Sequence, residues 1–526
     1  MEASDPGRGV CLAELIGALS LGTDLGLGQP MEHVLRECVL AQGLGRRMEL
    51  DESDQAVAYW VALLAWVGCH ADAYEQAGWF GDEITAKAGL YAVDLVGLGK
   101  ARFALGHVGA GETAAGRVRT GLEFVLSGRA AMGAMHGTHC LIAGELARRL
   151  GLGEVVRDAL QQVFERWDGK GSPGLLSGGE ISLPVRLVQL ADVIEVFHRQ
   201  GGVAAAVAVA RSRSGTQFDP SIVRCLCDNA AELLGPLDGA TTWAAVIDAQ
   251  PGLRRTLSDA ELDAALEAIS DFADLKSPYT MGHSRAVADL AAEAGRCCGL
   301  DGAALLILRR AGLVHDLGRL GVPNSIWDKR GPLNAAELER VRMHPYLTER
   351  ILSASPTLAL LGALAGQHHE RLDGTGYPRG LRASLLSPSA RILAAADAYQ
   401  GMLEPRPHRD AYGEATAAKR LRAEAEAGRL DGDVVDAVLA AAGHRIVRRP
   451  GRAVGLTSRE GEILALVARG LPNKQIARRL GIAPKTVGNH VEHIYTKIGV
   501  SSRAAAGLFA TEHGLLAAPD ADQVAR

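Results

Sequence analysis

The chain has 526 residues, 48% of them apolar and 22% charged, which is ample for several buried cores and too apolar for a disordered protein. Aromatic residues make up only 4% while alanine and leucine dominate, a balance that favours helices over sheets. The longest apolar window, AVAYWVALLAWVGC at 56–69, falls short of the ~18 residues of a membrane span, and MEASDPGRG at the N-terminus lacks a basic segment followed by an apolar one, so neither a membrane anchor nor a secretory signal is expected.

Net charge is −5, and it is unevenly spread. Residues 455–516 carry 8 Lys/Arg against 4 Asp/Glu, so a small basic unit is joined to an acidic body. That arrangement points to nucleic-acid binding at the C-terminal end. The 8 cysteines have no zinc-finger spacing and read as free thiols of a reducing cytoplasm.

In chain order, the first unit spans 1–235 and contains VFERWDGKGSPG (163–174). The second spans 255–445 and repeats the phrase 205 positions later as HHERLDGTGYPR. From Glu165 to Asp192 and from Glu370 to Asp397 the stretches align without a gap, with 11 identities in 28 positions, and the same offset matches His139 to His344. Self-similarity at a fixed offset indicates a duplicated domain. GPLDGATTWAAVIDAQPG (235–252) reads as the linker between the copies, and GHRIVRRPGRAVG (443–455) as a second linker. Segments such as LDAALEAISDFADL show helical periodicity, so the expected class is all-α.

The second copy holds a sparse series of strong ligands: His283, His315, Asp316, His344, His368, His369 and Asp397. Imidazoles mixed with carboxylates suit Mn, Fe or Zn, and an adjacent His-Asp pair lets the carboxylate bridge two ions. Two such ions could clamp a phosphodiester during in-line displacement. GLVHDLGRLGVP, MHPYLTERIL, QHHERLDGTGYP and RILAAADAYQGM resemble the HD-GYP branch of the HD-domain metal-dependent phosphohydrolases over about 260–445. The resemblance implies a helical bundle, two divalent metal ions, and a cyclic dinucleotide or other phosphodiester as substrate. Position by position, it implies that the seven ligands above hold the metals, with Asp316 bridging. Gly374, Gly376, Tyr377 and Pro378 would form a loop beside the substrate, and Arg406 and Arg409 would face its phosphates.

Three positions depart from the family pattern: Tyr279 where some members have a glutamate for a third metal, Arg319 in place of a lysine, and Gln400 in place of an acid. Two metals are therefore expected, with Arg319 keeping the charge near catalytic Asp316 but effectively never releasing a proton. In the first copy Val163 and Phe164 stand opposite the histidine pair, and the nearest match to His315-Asp316 is His70-Ala71. His139 and Asp192 survive alone. The first copy therefore reads as catalytically dead, kept either for packing against the second or for sensing a ligand in the vacated pocket.

Residues 456–516 resemble the LuxR-type helix-turn-helix domain. Thr457 and Glu460 form a capping box, Gly470 closes the first helix, Asn473 caps a second, and Pro484 opens a third. Val487, Val491, Ile494 and Ile498 would face the core, leaving Asn489 and Glu492 to read bases while Lys474, Lys485 and Thr486 reach phosphates. The last helix, Ser502 to His513, is the dimerisation element of such domains. The expected whole is two tandem HD-type helical bundles followed by a small LuxR-type helix-turn-helix four-helix domain: a cytoplasmic regulator of double-stranded DNA with a di-metal phosphohydrolase, homodimeric and away from membranes. The alternative is a nucleotide-sensing transcription factor whose HD domains only bind ligand.

Overall fold

The computed structural model describes residues 9–94, 98–239, 242–252, 256–445, 456, 458–513 and 515, and among these no strand forms, only isolated bridges between helices and turns. The chain divides into two compact units, Met1–Ala442 and Gly443–Arg526.

Within the first unit, the two copies follow one local plan. The helices His33–Arg47 and His283–Cys297 are both 15 residues long, and each starts after a left-handed residue, Glu32 (φ 79°) and Gly282 (φ 76°). The next helices, Glu52–Leu64 and Gly302–Val314, are both 13 residues long. Each is capped by an aspartate, Asp51 accepting from Asp54 N and Asp301 from Ala304 N at 2.8 Å, the geometry that satisfies an orphan donor at a helix start. These early elements are 250 positions apart, whereas the later ones keep the offset of 205. The first copy therefore carries 45 additional residues, among them the helices Ala73–Phe80, Glu83–Leu90 and Leu98–His107, with a small core around Phe80, Phe103 and Val108.

The copies are not separate bodies. One apolar core runs from Leu12, Leu35 and Ile194 of the first into Leu266, Leu313 and Ile351 of the second. The segment 235–252, expected as a linker, instead folds onto that core: the helix Thr242–Asp248 buries Val246 and Ile247, and the Tyr59 hydroxyl donates to Val246 O at 2.8 Å. Its apolar residues outweigh the glycines and proline that mark it as a connection. Buried Glu83 of the first copy accepts from Asn324 N at 2.9 Å and lies 3.4 Å from Lys276 Nζ of the second.

Among the described residues the second unit has four helices, Ser458–Ala468, Asn473–Leu480, Pro484–Ile498 and Arg503–Glu512, around Leu456, Ile463, Leu464, Ile476, Val487, Ile494, Ala506 and Ala510. Pro484 takes the first helical position, as expected, and Ser502 caps the last helix through Ala505 N rather than lying inside it. Gly470 is left-handed (φ 84°) beyond the first helix. Asn473 does not cap the second helix: Pro472 holds that position with extended backbone (φ −66°, ψ 152°) and Asn473 lies inside, since the fixed φ of proline already sets the entry. Thr457 of the expected capping box lies outside the described residues; Glu460 pairs with Lys497 Nζ at 2.8 Å.

Candidate active site and DNA-binding surface

The second copy brings all seven expected ligands together. His283 opens one helix, His315 and Asp316 follow another, His344 opens a third, His368 and His369 follow Pro356–Ala365, and Asp397 sits within Pro388–Leu403. Asp316 is at the centre. Its Oδ1 faces His344 Nε2 at 3.4 Å and His368 Nε2 at 3.7 Å, while its Oδ2 faces His315 Nε2 at 3.6 Å and His283 Nε2 at 3.8 Å. Asp397 approaches His283 Nε2 at 3.3 Å and His369 Nδ1 at 3.7 Å.

The far side of most of these rings is fixed. Nδ1–H donates to Gly312 O from His315 (2.7 Å), to Val341 O from His344 (2.6 Å) and to Ala365 O from His368 (2.6 Å). His283 Nδ1 bonds Glu404 Oε1 at 3.0 Å. His315, His344 and His368 therefore turn Nε2 inward with a lone pair, the orientation that ligating histidines need, and His283 turns its Nε2 to the same place. His315 Nε2 is buried with no hydrogen-bond partner, an orphan acceptor that a cation would satisfy. Burial holds the His344 imidazole down at about 4 and that of His368 at about 3, so both are neutral near pH 7. Burial pushes the Asp316 carboxyl up, but His315, Arg319 and the other imidazoles outweigh it and hold the group well below the usual carboxylate range. Two donor groups, His283/His315/Asp397 and His344/His368/His369, lie on either side of Asp316. The donor set fits divalent metal ions.

A cavity of about 400 Å³ opens onto these ligands. Arg319 borders it, 3.1 Å from Asp316 Oδ2 and 3.9 Å above the Trp327 ring. Arg406 also lines the cavity and donates to Tyr279 O and Glu404 Oε2, both at 2.9 Å. Arg409 also reaches the wall, but its N–H groups are taken by the carbonyls of Gly401, Met402, Glu404 and Asp410, so it shapes its own loop. Of the glycine-rich loop only Tyr377 lines the cavity. Gly376 packs so closely that a Cβ would meet the backbone at Glu370 and Arg371, Gly374 is left-handed (φ 81°), and the Tyr377–Pro378 peptide is cis. Glu370 ties the loop down by accepting from Arg379 N and Leu381 N at 2.8 Å.

In the C-terminal unit, Val487 and Ile494 are buried and Val491 and Ile498 pack beside them, so the helix Pro484–Ile498 turns Lys485, Thr486, Asn489 and Glu492 to the surface. Lys474 is exposed on the preceding helix.

Residues 267–434 match the profile of the HD domain family, and residues 454–510 match that of bacterial regulatory proteins of the luxR family. A 3'3'-cGAMP-specific phosphodiesterase of Vibrio cholerae is 33% identical over 405 residues, covering 76% of this chain and 88% of that protein. The chain belongs to the HD-GYP phosphodiesterase family. The crystal structure of a cyclic GMP-AMP specific phosphodiesterase of V. cholerae superposes with a TM-score of 0.58 at 28% identity, over 83% of this chain and 99% of that one. A cyclic di-GMP phosphodiesterase of Pseudomonas aeruginosa is 37% identical over 144 residues, 27% of this chain and 35% of that protein. The chain thus joins an HD-GYP phosphodiesterase body to a LuxR-type DNA-binding domain.

Against this HD-GYP site the first copy shows which donors were lost. Gly68 and Gly318 are equivalent, because a Cβ on either would strike the carbonyl of the histidine beneath it, His139 or His344. The residues opposite His315-Asp316 are therefore Ala65-Trp66, not His70-Ala71, which lies five residues further on; the added segment hides this register. Trp66 and Phe164 stand opposite Asp316 and His369 with ring centroids 6.0 Å apart, and His139 turns Nε2–H to Ala65 O at 2.5 Å. Glu404, which orients His283, and Trp327, which carries Arg319, were missed from sequence; neither has ligand spacing to mark it. His33 was missed as well. It opens the helix equivalent to that of His283, and it bonds Asp192 Oδ1 at 3.0 Å and Glu195 Oε2 at 2.6 Å.

Proposed function

We propose that the chain is a cytoplasmic transcriptional regulator that hydrolyses a cyclic dinucleotide, of the 3'3'-cGAMP or cyclic di-GMP kind, at two divalent ions in its second copy. The observation that carries this reading is Asp316, whose two oxygens face two separate groups of imidazoles. His283, His315 and Asp397 would hold one ion of Mn, Fe or Zn type and His344, His368 and His369 the other, with Asp316 between them. Bound there, the ions would supply a metal-activated hydroxide and neutralise phosphodiester charge.

The chain's own residues do the rest. Arg319, stacked on Trp327 beside Asp316, and Arg406, which lines the same cavity, offer donors to the phosphates. Tyr377, 4.7 Å from the His369 ring, presents an aromatic face to a base. Gly374, Gly376 and Pro378 act by shaping the loop that carries it. In functional terms the segments are 1–235, a degenerate copy; 255–445, the phosphohydrolase; and 455–516, the DNA reader. Lys474, Lys485 and Thr486 would contact phosphates while Asn489 and Glu492 meet base edges. Leu508, 62% exposed on the last helix, supports homodimerisation through that helix.

The test is turnover of 3'3'-cGAMP, cyclic di-GMP and linear controls by the full chain loaded with manganese, beside Asp316→Asn. Hydrolysis by the wild type that falls to background in Asp316→Asn, with DNA binding retained, is the expected result. Wild-type turnover in Asp316→Asn with both metals bound would remove the bridging assignment. A nucleotide that shifts DNA affinity without any hydrolysis by the wild type would replace the enzyme reading with a sensor.

A further inference from the structure

We propose that the first copy, although catalytically degenerate, holds a single divalent transition-metal ion between His33, Glu37 and Asp192. One donor atom from each of the three lies within 4.8 Å of the others, and all three side chains are buried. The place is that of half the active site. His33 opens the helix equivalent to that of His283, and Asp192 stands opposite Asp397 in the repeat.

The orientation device is repeated too. In the second copy a carboxylate, Glu404, fixes Nδ1 of His283 and leaves Nε2 facing Asp397. In the first, Glu195 bonds Nδ1 of His33 at 2.6 Å and leaves Nε2 facing Asp192 at 3.0 Å. A carboxylate–histidine pair of this kind sets the tautomer for a metal on the other nitrogen. Glu195 is itself steadied by Arg199 Nε at 3.3 Å and Arg36 at 3.6 Å, so its charge is already matched.

Glu37 is what the first copy has added. The equivalent position of the second copy, 250 residues on, is Val287. Glu37 is fully buried; its Oε2 accepts from Trp66 Nε1 at 3.1 Å, and its Oε1 has no partner. Trp66 stands where the second copy has Asp316, so a carboxylate was lost at one corner of the site and another gained beside it. A buried carboxylate oxygen without a donor is costly. A divalent cation would satisfy Glu37 and Asp192 together and balance their two charges. One imidazole with two carboxylates, and the Tyr91 hydroxyl 3.0 Å from Asp192 Oδ1, suits Mn(II), Fe(II) or Zn(II). Ala65, Trp66, Val163 and Phe164 leave only His139 on the side of a second ion, its Nε2–H taken by Ala65 O, so the site would tie the helix His33–Arg47 to Leu183–Ser212 without supporting the two-metal chemistry of the other copy.

Anomalous scattering at the manganese edge from crystals of the full chain grown with MnCl2 tests this directly. The expected result is a peak bounded by His33, Glu37 and Asp192, separate from any peak at Asp316. In solution, Glu37→Gln should retain one manganese per chain fewer than the wild type after desalting, with unchanged helicity by circular dichroism. No peak at His33, or an undiminished manganese content in folded Glu37→Gln, would overturn the proposal. If Glu37→Gln fails to fold, the crystal result decides alone. The second-copy peaks are read independently, so loss of the two-metal reading there leaves this outcome distinct.

Discussion

Gly68 and Gly318 lie at the same point of the two copies, each pressed against the carbonyl of a histidine, His139 within the helix Ala114–Arg149 and His344 at the start of His344–Leu352. In the second copy that closeness sets His344 against Asp316; Thr348, one turn on, donates to His315 O and accepts from Gly318 N, at 2.8 and 2.9 Å. A methyl group at Gly318 has only backbone to displace. Gly318→Ala is expected to push the helix His344–Leu352 away and to reduce hydrolysis roughly 100-fold, the scale of a ~1 Å misplacement. Turnover measured beside metal content checks it, and both should fall together. Gly68→Ala, pressed against His139 in the copy that lacks the full ligand set, should lower thermal stability while leaving turnover of folded protein near the wild-type value.

Glu404 is expected to act through His283. Burial lowers the His283 pKa, but Asp397 and Glu404 outweigh it and raise the imidazole to about 10 before metal binds. At pH 7 an arriving ion must therefore expel one proton from His283. Calorimetry of manganese loading in buffers of different ionisation enthalpy should report that release. Glu404→Gln leaves the ring less basic and less firmly oriented, so proton release should shrink and metal affinity should fall by roughly 10–100-fold. Unchanged affinity would make Glu404 a bystander.

The ligands of the second copy were legible because each is a residue type whose chemistry is its signal, and because the motifs keep their order and spacing. The early register of the first copy was not. Identities at the offset of 250, such as His33/His283, Asp51/Asp301 and Gly68/Gly318, are few and scattered, and the 45 added residues break the offset before His139. Trp66 could not be suspected as the replacement for Asp316, since an indole in an apolar helical run reads as core. Glu37 and Glu195 look like surface carboxylates until the fold buries them. The helix at 242–248 was masked by the glycines and proline around it, because turn residues report local freedom and not whether a neighbouring core needs Val246 and Ile247.

The ion pair between Glu83 and Lys276 is expected to hold the copies in register. Their side chains are 0% and 4% exposed, and Glu83 also satisfies Asn324 N. Glu83→Ala would leave a buried ammonium and a buried N–H without partners, at a cost of ~3–5 kcal/mol. Burial depresses Lys276 from 10.5 to about 8, against the pull of Glu83. Between those two values the unfolded chain holds a proton the folded chain has released, so this group makes stability rise with pH across that window. Denaturation of wild type and Lys276→Met from pH 7 to 10.5 should show the rise only in the wild type.

The DNA-reading assignments separate by salt dependence. Lys485 is exposed at the start of the helix Pro484–Ile498, where a cation meets the phosphate backbone, whereas Asn489 lies a turn further along the same exposed face. Phosphate contacts release counterions irrespective of sequence. Lys485→Ala in the full chain should therefore weaken binding to operator and random duplex alike and lower the slope of log affinity against log salt by about one. Asn489→Ala removes an amide that can pair with an adenine edge, so it should leave random-duplex binding unchanged and reduce discrimination by ~1–3 kcal/mol at one base pair. Fluorescence anisotropy across a salt series reads both effects. A Lys485→Ala protein with the wild-type salt slope would show that the helix enters DNA from another face, and the base-reading role of Asn489 would fall with it.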